Sequence, residues 1–132
     1  RCYTKTKSYM RLKILTELLF IIPLALALFG GLYLYSLVIA ISILTAILYH
    51  LNNEKKYFIA DVITSIALLS TNLYFAYLSN FKYPYFHLAL IPLVSSFYFW
   101  IRAQKKDYDF NHSMWHIASV MITGFCLLAY IS

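Results

Sequence analysis

Two imidazoles stand four residues apart at the entrance to the last apolar stretch, in His112-Ser113-Met114-Trp115-His116. On a helix, positions i and i+4 lie one above the other on one face, so both rings can reach a single metal ion. A third histidine, His50, closes another apolar stretch, and Asp61 lies just inside the next. An i, i+4 histidine pair alone is as readily an interfacial anchor. Four ionisable groups at one depth shift the balance, because histidines and acids inside a membrane are costly unless paired. Three neutral imidazoles leave a fourth tetrahedral position for water, and a zinc ion lowers the pKa of such a water to about 7. The pattern points to zinc or another hydrolytic metal, with His50, His112 and His116 as ligands. Asp61 would orient the water, take its proton or steady a ligand ring.

The elements that carry these residues are membrane helices. Of 132 residues, 62% are hydrophobic and 12% charged, with a mean hydropathy of +0.70. An ordinary soluble domain is excluded, and the expected fold is an all-α integral membrane bundle forming a single domain over 1–132. Five spans of roughly the 20 residues needed to cross the hydrocarbon are expected, at about 12–29, 32–50, 57–78, 83–101 and 113–131. Gly30-Gly31 divides the first two in a tight turn. Pro23 and Pro92 fall inside spans, where neighbouring helices can accommodate a kink without a break. The first stretch follows basic residues as a signal peptide would, but it lacks a small-residue cleavage site and is read as a retained helix.

Charge assigns a side to each end. Arg1, Lys5, Lys7, Arg11 and Lys13 precede span one, Lys55 and Lys56 follow span two, and Arg102, Lys105 and Lys106 follow span four. The other side has Lys82 alone. Ten against one predicts a cytoplasmic N-terminus and a C-terminus on the opposite side. That count ignores histidine, yet it brings His50, Asp61, His112 and His116 to one face. His87 falls on the other and reads as an interfacial residue remote from the site. Glu17, in span one, reads as a partner in structural pairing rather than in catalysis, and Thr64 and Ser65 stand where they could hydrogen-bond into the same cavity. The charge of +6 lies beside apolar spans, so no nucleic-acid partner is expected. Cys2 and Cys126 stand at opposite ends of the chain, one in a basic tail and one in an apolar run, and a disulfide framework is not expected.

There is no Walker loop, dinucleotide fingerprint or nucleophile elbow in the chain. A haem held by two histidines fits a same-face pair plus an acid less well than a hydrolytic metal does. A transporter would place its polar residues nearer mid-membrane.

In three segments the chain resembles the CREST superfamily of membrane hydrolases, which includes alkaline ceramidases, the progestin and adiponectin receptor family, GPI-acting phospholipase A2 and myomaker. They are Tyr49-His50, Asp61 eleven residues later in the run Asp61-Val62-Ile63-Thr64-Ser65, and Tyr108-Asp109-Phe110-Asn111-His112-Ser113-Met114-Trp115-His116. The last is most similar to the GPI-phospholipase and myomaker branch. The resemblance covers spans two, three and five, about half the chain. It implies zinc held by His50, His112 and His116, Asp61 supporting the activated water, and hydrolysis of an amide or ester bond in a lipid. The chain departs from that pattern in two ways. Ala46 stands where the family has a serine one turn before the histidine, so Ser42, Thr45 or Ser65 would have to replace it. Five spans would stand for a seven-helix core, and loss of one helical hairpin preserves the direction of the last span. The rival reading is a non-catalytic, metal-stapled scaffold, receptor or membrane-remodelling protein, and a bundle this small is also suited to pairing with a second copy.

Overall fold

The computed structural model describes the backbone of residues 2–132 and the side chains of residues 10–132. Arg1 and the side chains of Cys2, Lys5 and Lys7 therefore lie outside the described residues. Six α-helices form among these residues: α1 (Cys2–Leu18), α2 (Ile21–Phe29), α3 (Tyr33–Asn52), α4 (Lys55–Leu78), α5 (Tyr85–Ala103) and α6 (Tyr108–Ile131). They make five stretches long and apolar enough to cross a membrane, the first being Met10–Phe29 across α1 and α2.

The first span is thus two helices rather than one, and Pro23 supplies the reason. Proline has no N–H to bond the carbonyl four residues earlier and its ring clashes with that carbonyl, here Leu19. The backbone tightens at that point, with Leu19 N donating to Thr16 O at 3.3 Å, Phe20 N to Glu17 O at 3.0 Å and Ile22 N to Leu19 O at 3.1 Å. Kinking without breaking describes Pro92, which lies inside a continuous α5, but not Pro23. The last span also begins earlier than expected, at Tyr108 instead of Ser113, so His112 is already one turn into α6.

Gly31 closes the α2–α3 turn at φ 70°, a left-handed conformation that glycine adopts freely. At the other end of α3, Asn53 takes φ 51° and its N–H caps Tyr49 O at 2.8 Å. That reversal fixes His50 in the final turn of α3, beside the start of α4.

The last helix is the organising element, for α1, α2, α4 and α5 all pack on it, while α3 packs on α1, α2 and α4. Its buried residues include Ala118, Thr123 and Ala129, small side chains that allow the close backbone approach typical of membrane helices. Phe20, Ala27, Tyr35, Ile39, Leu68, Phe75 and Leu127 form the main apolar cluster. Mid-bundle, Asn72 accepts a hydrogen bond from Tyr35 Oη and donates one to Thr123 Oγ1 at 3.1 Å, joining three helices. Large side chains such as Ile22, Leu34 and Val94 stay on the outside, as a bundle solvated by lipid requires.

Candidate metal centre

Two spans deliver His50, His112 and His116 to one point, His50 from α3 and the other two from α6. One ligand atom from each lies within 4.8 Å of the others, and all three residues are buried. The His112 and His116 rings are 4.4 Å apart centre to centre, and His50 lies 5.3 and 5.4 Å from them. Local structure explains the convergence: one helical turn superposes His112 and His116 on α6, and the last turn of α3 carries His50 to the same level. Tyr108, one turn before His112, stacks on its ring with centroids 5.1 Å apart.

Donor chemistry provides the test of fit. Nε2 of His50 and Nε2 of His112 are buried without a hydrogen-bond partner. Buried polar atoms are almost always satisfied, because an orphan costs about 1–3 kcal/mol. Two such lone-pair nitrogens beside a third imidazole are the donor set that a zinc-like cation takes.

The His116 ring is held on both sides by consecutive residues of α1. Its Nδ1 lies 3.2 Å from Thr16 Oγ1 and its Nε2 3.0 Å from Glu17 Oε1, with the His116 and Glu17 side chains each only 6% exposed. Thr16 and Glu17 occupy the last turn of α1, immediately before the break that Pro23 imposes. One turn earlier, Lys13 pairs with Asp109 at 2.5 Å and lies over the Tyr108 ring, so α1 runs alongside the first turns of α6. Glu17 does find a pairing partner, and the partner is a residue of the histidine cluster itself. Thr16 carried no signal in the sequence beyond being next to an acid.

A cavity of about 710 Å³ adjoins the cluster, lined by His112, His116, Glu17 and Asp61 among others. That lies within the roughly 300–1,000 Å³ of small-molecule sites. Its walls come chiefly from α4, α5 and α6, with α1 contributing Glu17 and α3 contributing Ser42, Ala46 and Tyr49, and α4 and α5 make no extensive contact with each other. Asp61 lines it without forming an ion pair or side-chain hydrogen bond to the histidines. Ser42 also lines it, but its hydroxyl donates to Thr64 O at 3.3 Å. Ser65 lines it directly, whereas Thr45 lies outside the lining and bonds Ile41 O and Thr64 Oγ1 at 3.0 and 2.7 Å. Thr64 turns away too, towards Asp61 O. Ala46 is buried in the cavity wall. His87 is exposed at the opposite end of the bundle, its ring against Tyr83. Cys126 is a buried free thiol.

Comparison of the chain with protein-family models, curated proteins and solved structures returns no match.

Proposed function

We propose that this chain is a zinc-dependent membrane hydrolase that cleaves an amide or ester bond of a lipid at the cytoplasmic interface. The observation that carries the reading is the pair of buried, unpartnered Nε2 atoms on His50 of α3 and His112 of α6 converging with His116 of α6. The adjoining cavity, open between α4 and α5, offers room for an amphiphile beside the cluster. The resemblance to CREST hydrolases supplies the lipid substrate class, and the ten-to-one distribution of basic residues supplies the orientation.

His50, His112 and His116 would hold the ion, and zinc so held polarises a carbonyl and activates water near neutral pH. Thr16 steadies the His116 ring from Nδ1. Asp61, facing the same cavity, takes the proton released at its carboxylate or orients the attacking water. Ser65 is the hydroxyl placed to support the reacting centre in place of the family serine, since Ser42 and Thr45 are engaged elsewhere. The aromatic rings of Tyr108 and Trp115 shield the cluster from bulk water and so strengthen its electrostatics.

Asp61→Asn is the test. Cells or vesicles carrying wild type should show depletion of one lipid class and gain of its cleaved product, and the variant should lose about 10²–10⁴ of that turnover while keeping its zinc. Equal lipid profiles for the two proteins would contradict the hydrolase reading. Ala46 in the cavity wall favours one rival, a metal-stapled scaffold that binds zinc and turns over nothing. Stoichiometric zinc with no lipid change in wild type would select it.

A further inference from the structure

The resemblance draws on spans two, three and five, yet the group in closest polar contact with the histidine cluster comes from span one. Thr16 Oγ1 donates its hydrogen to the carbonyls of Leu12 and Lys13, at 3.1 and 2.9 Å. A hydroxyl has one hydrogen to give, so at 3.2 Å from His116 Nδ1 it accepts, and the proton belongs to Nδ1. Nε2 is then the nitrogen that His116 offers to an ion, matching the free Nε2 atoms of His50 and His112.

Glu17 Oε1 lies 3.0 Å from that same Nε2. Around a tetrahedral zinc with bonds of about 2.0–2.2 Å, neighbouring ligand atoms sit about 3.3 Å apart. The carboxylate is therefore already at ligand-to-ligand spacing from His116. Asp61 has no comparable contact.

Resting on the reading of the triad as a metal site, we infer that Glu17 is a fourth ligand, making a three-histidine, one-carboxylate centre. Charge supports this assignment. Three neutral imidazoles leave a divalent ion with its full charge in a buried site, and one carboxylate halves it, which lowers the cost of keeping the ion away from water. The group within 4.8 Å comprises the histidines alone, so the carboxylate swings inward from His116 as the ion binds. The position that the triad leaves open is then closed at rest. Substrate or water enters by displacing Glu17 or as a fifth ligand, an expansion zinc permits.

The experiment loads zinc into the full chain in nanodiscs, in an Asp61→Asn background so that Asp61 contributes no carboxylate signal. Difference infrared spectroscopy reads the carboxylate stretch, and competition with a chromophoric chelator reads affinity. Glu17 as parent and Glu17→Asp should both show a carboxylate change on zinc loading, and Glu17→Gln should lose it. Glu17→Gln should also weaken zinc by more than the roughly 10–100-fold typical of a group one shell out. A folded Glu17→Gln that binds zinc as tightly as its parent with the same difference spectrum overturns the assignment. Should Glu17→Gln not fold, the parent decides: zinc uptake without any carboxylate change overturns the assignment equally. A parent that takes up no zinc overturns the triad as a metal site, a separate failure.

Discussion

Single side chains in this protein are placed by what their polar atoms need. His50 and His112 keep buried nitrogens free, His116 has both nitrogens engaged, and Asn72 bridges Tyr35 and Thr123 in the middle of the bundle. The last arrangement predicts a structural cost. Asn72→Leu removes the partner of two buried hydroxyls, and side-chain hydrogen bonds within membranes average about 0.6 kcal/mol, reaching about 1.7 kcal/mol. Thermal unfolding in detergent should show Asn72→Leu less stable than wild type, with Tyr35→Phe milder because the amide keeps Thr123. No loss in either variant would mean that the bridge is not a fastening. At this scale much of the site was legible: the i, i+4 spacing of His112 and His116, with His50 closing its own span, placed all three at one depth. The Glu17–His116 contact was not, because a lone acid in an apolar run gives no sign of which helix it will face. The same limit applies to Ser42, Thr45 and Ser65, which share a neighbourhood in sequence but differ in what their hydroxyls touch.

At the level of helices, the break between α1 and α2 has the largest consequence for the site. It ends α1 right after Thr16 and Glu17, both of which grip His116. Pro23→Ala restores the missing N–H and removes the clash worth about 3 kcal/mol in a helix interior, so α1 and α2 should fuse. Helical content measured by circular dichroism should hold or rise while zinc affinity falls about 10-fold, the lower range for loss of a supporting contact around a metal. Unchanged affinity would show that the break does not position the α1 grip. Gly31 offers an independent check on the turn that follows. With φ 70° and open space around a would-be Cβ, Gly31→Ala should cost about 1–2 kcal/mol through backbone strain alone, read as a lower unfolding midpoint. The sequence located that glycine turn and the five spans because length and hydropathy decide them. It placed the start of α6 five residues too late, since Tyr108–His112 is polar enough to read as loop until the pairing of Asp109 with Lys13 of α1 is known.

Taken whole, the molecule is a bundle whose last helix binds most of the others, with the histidine cluster near one rim and a cavity running inward between α4 and α5. An ion held by the histidines would cross-link α3 to α6, and ligand linkage adds about 4 kcal/mol to stability when free metal exceeds its dissociation constant 1,000-fold. Chelation should therefore lower the unfolding midpoint of the detergent-purified protein, and zinc should restore it. Acidification should act in the same direction, since protons compete with metal for imidazole nitrogens. The bundle architecture and its single histidine-rich end were readable from hydropathy and charge. The cavity was not, because it arises from α4 and α5 standing apart, and helix separation leaves no local pattern in a chain.

The central claim is that three histidines from two spans grasp one ion, and metal content per chain tests it most directly. Wild-type protein purified without chelator and equilibrated with zinc should carry one ion per chain, and His50→Ala, His112→Ala and His116→Ala should each lose it while remaining folded. A wild type that holds no zinc, or a folded His50→Ala that still holds one equivalent, would contradict the account.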